Sequence, residues 1–172
     1  MKTLGIGIIG SGFMGRCHVT AYNSIASIFE VSSRPVLKIL ADATPELASQ
    51  QAKALQFEQS TEDWQELVNH PEVDVVDITA PNHLHHPIAV AALNLGKPVY
   101  CEKPLACTLA EAKEMADFAK AQQIPTLVGY NYLQNPLIKT AREIIQSGEI
   151  GEPISFRGVH AEDYMANPLS PY

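Results

Sequence analysis

The feature that most constrains the fold is the alternation of short apolar runs with helical patterns along the first 130 residues. The apolar runs are rich in β-branched residues on both alternating faces, as expected of parallel strands that helices cover on both sides. They lie at residues 4–9, 35–41, 73–80, 97–101 and 125–131. Helical patterns lie at residues 13–28, 45–55, 61–69, 85–95, 108–122 and 136–147. Strand–helix alternation builds βαβ units, so the sequence predicts an α/β fold with a doubly wound parallel sheet.

Two helix starts carry capping signals. Ser60 stands three residues before Asp63, a variant of the capping box, and Thr108 stands three residues before Glu111, the full capping box.

The pattern changes after Gly148. Residues 153–160 predict one more strand, and turn signals fill the remaining residues. A lone strand cannot bury its faces or pair its edges, so the chain is expected to stop just inside a second domain. We therefore predict one domain over residues 1–130. Residues 131–172 are then a linking helix and the first strand of an incomplete α+β domain.

A glycine motif follows the first strand directly and opens the next helix. The first glycine of G-x-G-x-x-G permits a tight turn, the second lets a pyrophosphate approach the backbone, and the third lets the helix pack closely on the strand. At this strand-to-helix junction the motif predicts a Rossmann dinucleotide-binding loop. The alternatives are a bare structural turn or a site for a different nucleotide-like ligand such as S-adenosylmethionine. The loop residues predicted to bind the cofactor are Gly10, Ser11, Gly12, Phe13, Met14 and Gly15.

An acidic residue at the end of the second strand, Asp42, completes the motif. A carboxylate there accepts hydrogen bonds from the adenosine ribose and repels a 2′-phosphate. Ala43 and Thr44 follow and offer no cation for such a phosphate. The sequence therefore favours NAD over NADP as cofactor. The alternative is that Asp42 caps the helix that begins at Pro45, and one carboxylate could do both.

Polar residues also follow the strand that ends at Cys101. Glu102, Lys103 and Pro104 come next, where a simple turn could use Gly, Asn or Asp. This end of the strand is expected to face the crevice where open α/β sheets bind ligands, which puts Lys103 beside the nicotinamide half of a cofactor. The plain alternative is a surface lysine whose stem packs on the sheet edge.

Three segments, GIIGSGFMG, TAPNHLHHPIAVAALNLGKPVYCEKPLA and GYNYLQNP, resemble the Gfo/Idh/MocA oxidoreductases, named for glucose–fructose oxidoreductase, inositol dehydrogenase and rhizopine catabolism. The resemblance implies that Lys103 is catalytic and exchanges a proton with the substrate hydroxyl while hydride moves to or from the nicotinamide. It implies that Glu102 orients the lysine or the cofactor, and that Pro104 fixes the turn, with a cis bond as one option. Leu133 stands where that family often has Arg. The cofactor contacts implied outside the glycine loop and Asp42 are Ala80, Pro81, Asn82, His85, Glu102, Lys103, Pro104 and Asn131.

The implied function is an NAD(P)-dependent oxidoreductase that acts on a sugar, a polyol or a related small molecule, with this chain mainly its cofactor-binding half. The alternative is a dinucleotide-binding module or redox sensor without turnover. The Asp and His that the family uses in its second domain have no match in residues 1–172, so the chain alone is expected to be inactive. It is then either the N-terminal part of a longer enzyme or a natural truncation.

Charge and composition exclude other classes. The net charge of −7, from 12 basic and 19 acidic residues, argues against a nucleic-acid binder. No apolar run is long enough to span a membrane, and glycines interrupt the apolar start, so neither a membrane anchor nor a signal peptide is expected. The three cysteines show no C-x-x-C spacing and suit a reducing cytoplasm, where buried apolar roles are expected for Cys101 and Cys107.

The histidine cluster at the fourth strand, His83, His85 and His86, resembles a metal site at first sight. The three side chains should point in different directions at a helix start, and no Cys or carboxylate ligand pattern accompanies them. No metal is therefore predicted; His85 is expected to touch the cofactor and the other two to face solvent. The unpaired edges of the strand predicted at 153–160 would allow a homo-oligomer.

Overall fold

The structure, a computed structural model, describes residues 2–161, and it divides the chain into two units, Met1–Tyr130 and Asn131–Tyr172. The first unit is built on a six-stranded parallel sheet with strand order β3-β2-β1-β4-β5-β6. The predicted α/β, doubly wound parallel sheet is confirmed. The strands are β1 (Lys2–Ile9), β2 (Ser33–Ala41), β3 (Gln59–Thr61), β4 (Val75–Ile78), β5 (Val99–Cys101) and β6 (Thr126–Val128). The helices of this unit are α1 (Phe13–Ile28), α2 (Pro45–Leu55), α3 (Trp64–Asn69), α4 (His85–Asn94) and α5 (Leu109–Gln122), with a short 3₁₀ helix at Asn82–Leu84.

Apolar side chains cover both faces of the sheet, as parallel strands require. On one face, Val19 of α1 and Ala52 of α2 pack against Ile6 and Ile8 of β1 and Leu40 of β2. On the other face, a larger cluster joins buried residues of β4 and β5 to residues of α3, α4 and α5. This burial on both faces explains why the strand sequences show apolar residues at successive positions.

Local capping chemistry sets where the helices begin. The predicted capping box is present: the Thr108 hydroxyl accepts from the Glu111 amide, and the Glu111 carboxylate accepts from the Thr108 amide. The start predicted at Ser60 is wrong, because Asp63 is the cap of α3 and accepts from the Gln65 amide at 2.8 Å. Ser60 lies instead in β3, a strand that the sequence pattern did not predict because its three residues are polar.

The second unit contains the 3₁₀ helix Asn131–Gln134 and α6 (Pro136–Gln146), which begins at a cap formed by Asn135. The helix predicted at 136–147 is therefore confirmed. The strand predicted at about 153–160 is absent, since residues 152–161 form no regular secondary structure. Its apolar side chains Ile154, Phe156 and Val159 are more than nine-tenths exposed, at 98%, 93% and 95%. A strand needs a neighbour to pair with, and the described residues supply none here. The turn signals predicted beyond residue 161 lie outside the described residues.

That residues 131–172 begin a further α+β domain stays a prediction. Of the helices in residues 2–161, none has the length and apolar character needed to cross a membrane.

At Gly5, the backbone of β1 lies very close to the segment before β4. A Cβ at this position would overlap the Glu72 carbonyl oxygen. We expect Gly5→Ala to lower the free energy of unfolding by about 2 kcal/mol, because backbone atoms must shift to make room. Urea unfolding followed by circular dichroism measures this. Thr3→Ala, at an exposed position of the same strand, is the control and should change the free energy by less than about 0.5 kcal/mol. Equal stability of the two variants would contradict the close approach.

Candidate functional site

The predicted site residues of the first unit converge at one edge of the sheet, where β1, β2, β4 and β5 end. Gly10 follows β1, Asp42 follows β2, and Glu102 follows β5. Strand order reverses between β1 and β4, because β2 and β3 lie on one side of β1 while β4, β5 and β6 lie on the other. In open α/β sheets, ligands bind in the crevice beyond the carboxyl ends of the strands at such a reversal.

The three glycines of the loop have different surroundings. Gly10 has a φ of +101°, and a Cβ there would lie 2.7 Å from the Thr79 carbonyl oxygen. A Cβ on Gly15 would collide with the Gly10 carbonyl oxygen, so this glycine lets α1 pack against the loop. A Cβ on Gly12 would meet nothing within 4 Å. The first and third glycines are therefore needed by the fold, whereas the second leaves open space in front of the backbone.

The N-terminus of α1 fits an anionic group. The helix is 16 residues long, its cap is Gly12 without a side-chain hydrogen bond, and its first turn holds no acidic residue. The amides of a first helical turn have no partner within the helix, and the helix dipole adds partial positive charge there. These two features and the open space at Gly12 fit the pyrophosphate of a dinucleotide.

Asp42 is joined to the loop by hydrogen bonds. Its Oδ2 accepts from the Ser11 amide at 2.9 Å and also from the Ser11 hydroxyl, while its Oδ1 accepts from the Ala43 amide at 2.7 Å. The cap of α2 is Thr44, whose hydroxyl accepts from the Leu47 amide, so the alternative of Asp42 as the helix cap is wrong. The carboxylate is thus fixed at the end of β2 beside the glycine loop.

A cationic side chain, that of Arg16, also lies beside the glycine loop. The Arg16 guanidinium donates to the Ser11 carbonyl at 3.3 Å and to the Gln51 side-chain oxygen at 3.3 Å. The residues that follow Asp42 in sequence give no sign of this cation, because Arg16 lies 26 residues earlier in the chain.

In the Glu102–Lys103–Pro104 turn, the two charged side chains lie in different environments. The Lys103–Pro104 bond is cis, which was one option for this turn. Glu102 is buried at 5% exposure, whereas Lys103 is exposed. The Glu102 Oε2 accepts from the backbone amide of Lys103 at 3.1 Å. Within residues 2–161, the Lys103 ammonium makes no hydrogen bond or ion pair, so it is free to face a ligand.

His85 joins two loops of the site. Its ring is 1% exposed, with Nδ1 at 2.9 Å from the Pro104 carbonyl oxygen and Nε2 at 2.8 Å from the Ala80 carbonyl oxygen. The ring therefore links the residues that follow β4 to the cis turn after β5. Since both nitrogens contact protein, a direct contact of this ring with a cofactor stays a prediction. Pro81 and Asn82, also predicted to contact the cofactor, are exposed on the loop that His85 holds.

A buried polar cluster, which sequence reasoning missed, lies beneath the turn. His18 of α1 contacts Asp77 of β4 through Nδ1, at 2.9 Å from Oδ2 and 3.0 Å from Oδ1, and Glu102 through Nε2, at 3.2 Å from Oε1. Asp77 is 0% exposed and His18 is 7% exposed. The imidazole also stacks on the Tyr100 ring, with centroids 4.6 Å apart and planes at 14°. The Tyr22 hydroxyl also interacts with the Asp77 carboxylate.

The electrostatics of this cluster favour an imidazolium. Burial lowers the pKa of His18, but the hydrogen bonds and negative charges of Asp77 and Glu102 outweigh it and raise the pKa above its ordinary value. Burial, followed by the nearby negative charge of Asp77, raises the pKa of Tyr22 and of Tyr100. The cluster therefore places one imidazole between two carboxyl groups, and burial raises the pKa of the Asp77 carboxyl as well.

A sequence signal for this cluster did exist. Asp77 interrupts the apolar run VDVVDITA, and a carboxylate inside a buried strand is rare unless it is paired. Gly129 is part of the same arrangement, because a Cβ there would collide with the Glu102 carboxylate. The positions of the partners along the chain, 59 and 84 residues from His18, gave no indication that they meet.

The remaining predicted residues have separate surroundings. His86 contacts the Glu114 carboxylate at 3.0 Å, and His83 is exposed. Burial raises the pKa of the Cys101 thiol to about 12, which suits the apolar role predicted for it. Cys107, however, is exposed, so the buried role predicted for it is wrong. Asn131 belongs to the second unit, where its side chain accepts from the Tyr132 amide, and its contact with a cofactor stays a prediction.

Comparison with known proteins gives consistent matches. Residues 4–130 match the family model of Gfo/Idh/MocA, an oxidoreductase family with an NAD-binding Rossmann fold. Levoglucosan dehydrogenase of Pseudarthrobacter phenanthrenivorans is 44% identical over 99% of this chain, and inositol 2-dehydrogenase of Salmonella typhimurium is 33% identical over 99%. The solved complex of levoglucosan dehydrogenase with NADH and levoglucosan is similar over 99% of this chain and 46% of the other, at 44% identity, with a TM-score of 0.94. The chain spans 44% and 48% of the lengths of the two curated relatives.

The charge of His18 should make the free energy of unfolding depend on pH. Because its folded-state pKa is raised, its contribution is fully present below the unfolded pKa of about 6.5 and is lost as pH rises through the folded value. We compare the wild type with His18→Gln/Asp77→Asn, which removes both members of the buried pair. Between pH 6 and pH 9 the free energy of unfolding of the wild type should fall relative to that of the variant. Urea unfolding at intervals of pH measures it, and parallel curves would contradict the assignment.

Proposed function

This chain belongs to the Gfo/Idh/MocA oxidoreductase family, and we propose that it is the cofactor-binding half of an NAD-dependent dehydrogenase that acts on a sugar or polyol. The observation that carries the proposal is the glycine loop at the strand reversal, where the space in front of Gly12 is open while Gly10 and Gly15 are packed. The family match over residues 4–130 and the NADH complex of a relative 44% identical support the same assignment.

The cofactor would be held by three groups of residues. The amides that begin α1, with Gly12, suit the pyrophosphate, and Asp42 suits the adenosine ribose hydroxyls. The loop that His85 holds after β4 lies at the same edge of the sheet and would line the nicotinamide half. A carboxylate fixed at Asp42 repels a 2′-phosphate, which supports NAD over NADP.

Lys103 would be the proton-transfer group. A bound nicotinamide dinucleotide supplies an acceptor for the hydride that leaves the substrate carbon, or a donor in the reverse direction. In oxidation, the amine of Lys103 accepts the proton of the substrate hydroxyl as the carbonyl forms, and in reduction the ammonium returns it. The role fits an exposed ammonium without a protein partner in residues 2–161, at the end of β5 where a ligand is expected.

The substrate class rests on the relatives. Levoglucosan dehydrogenase and inositol 2-dehydrogenase are named for polyhydroxylated rings, and levoglucosan is bound in the solved complex. We propose a substrate of that kind, a ring with several hydroxyl groups. Since the chain spans less than half of these relatives, we propose that most of the substrate pocket belongs to residues beyond it.

Cofactor binding is tested by titrating the protein with NADH and with NADPH while following nicotinamide fluorescence. We expect NADH to bind at least about tenfold more tightly than NADPH, which is about 1.4 kcal/mol. Asp42→Ala should narrow this difference, because the charge that repels the 2′-phosphate is removed.

Two glycine variants are the controls for this titration. Gly12→Val should remain folded and lose NADH binding, because its side chain enters space that is free of protein atoms. Gly15→Ala should lower the melting temperature, because its Cβ would collide with the Gly10 carbonyl oxygen. If NADH failed to bind to folded wild type, the proposed cofactor site would be wrong for this chain.

The role of Lys103 is tested by Lys103→Ala in the full-length protein, with NAD and with levoglucosan or myo-inositol as substrate. We expect kcat to fall by a factor of about 10² to 10⁴, the usual contribution of a general acid or base, with NADH affinity changed less than about twofold. Lys113→Ala, at an exposed position of α5, is the matched control and should keep full activity. A kcat near that of the wild type would exclude Lys103 as the proton-transfer group.

A further inference from the structure

We propose that His18 is a positioning residue for Lys103, since it holds the Glu102 carboxylate away from the neighbouring ammonium. The inference rests on the proposed function in one respect, the role of Lys103 in proton transfer. His18 itself lies in the interior, and its contacts are with Asp77, Glu102 and Tyr100.

The hydrogen bonds give His18 a defined direction. Asp77, fully buried on β4, contacts Nδ1 and so orients the ring. Nε2 then points at Oε1 of Glu102, 3.2 Å away. The second oxygen of Glu102 accepts from the Lys103 amide, 3.1 Å away. Both oxygens of the carboxylate are thus used on the interior side of the turn.

The charges explain why this direction matters. Glu102 and Lys103 are adjacent in sequence, and a free carboxylate at this position could pair with the neighbouring ammonium. An ammonium paired in this way holds its proton more strongly and exchanges it less readily. With His18 charged, the carboxylate has a closer and more buried partner. Among residues 2–161, His18 is the one cationic side chain in contact with Glu102.

The rest of the surroundings offer no substitute for His18. The groups that contact its ring are Asp77 of β4, Glu102 after β5 and Tyr100 of β5, and Tyr22 of α1 interacts with Asp77. Two of them are negative and two are neutral phenols. His18, Tyr22 and Tyr100 also line an apolar groove of about 440 Å³ along the sheet, which contributes no cation. Loss of the imidazolium would therefore release Glu102.

The test measures the Lys103 amine directly, without nucleotide or substrate. The protein is labelled with a limiting amount of acetic anhydride at several pH values from 6 to 9, and mass spectrometry gives the extent of acetylation at Lys103 relative to Lys113. Lys113 is exposed on α5 and serves as the reference within each molecule. In His18→Gln/Asp77→Asn, labelling of Lys103 at pH 6, below the ordinary pKa of histidine, should be slower than in the wild type by about two- to fivefold, the strength of an exposed ion pair. Adding Glu102→Gln should restore the wild-type ratio, because no carboxylate is then left to pair with Lys103.

Two results would overturn the proposal. One is an unchanged labelling ratio in the folded double variant; the other is slow labelling that persists after Glu102→Gln is added, because the effect would then not pass through Glu102. The wild type alone provides a further measurement if the double variant does not fold. Its Lys103 to Lys113 ratio should fall as pH rises and His18 loses its proton, and a constant ratio would also overturn the proposal. None of these results depends on NADH binding, so failure of the cofactor titration would count against the proposed function only.

Discussion

A carboxylate at the centre of the sheet is the constraint on which the site depends. Asp77 has no exposed surface, and an ionised carboxylate in such a place is unfavourable unless it is paired and hydrogen-bonded. The partner is His18, which α1 carries to β4 because Gly15 lets the first turn of the helix pack against the loop. One buried charge therefore ties the helix that follows the glycine loop to the strand on the other side of the reversal.

The same pairing also fixes the direction of the Glu102 carboxylate, because His18 contacts both Asp77 and Glu102. Replacing a buried ion pair with apolar residues is often neutral or stabilising, whereas removing one partner is costly. Hydrophobic packing alone could therefore hold α1 on the sheet, but it could not choose which way the Glu102 carboxylate points. Gly129 leaves space for that carboxylate, and the Lys103 amide binds its second oxygen. Core packing and charge direction thus have separate roles in this domain.

The parts of the fold that could be predicted from sequence are those with local causes. Thr108 and Glu111 cap a helix within four residues, and the glycine loop directly follows its strand, so neighbouring residues were sufficient evidence. The polar strand β3 gave no apolar run, and the segment at 153–160 has a strand-like pattern but no partner to pair with in the described residues. Asp42 was predicted as a site residue because its position after β2 follows from the motif. The cluster of His18, Asp77 and Glu102 was not, because a contact across 59 or 84 residues depends on the tertiary fold.

The contacts of His85 with two loops limit how those loops can be changed. Because one ring binds the Ala80 and Pro104 carbonyls together, the loop after β4 and the cis turn after β5 form one mechanical unit. Exchanging either loop alone between relatives would leave a buried imidazole facing a carbonyl that has moved. The two segments should therefore be exchanged together, and His85, which contacts both, should be kept with them.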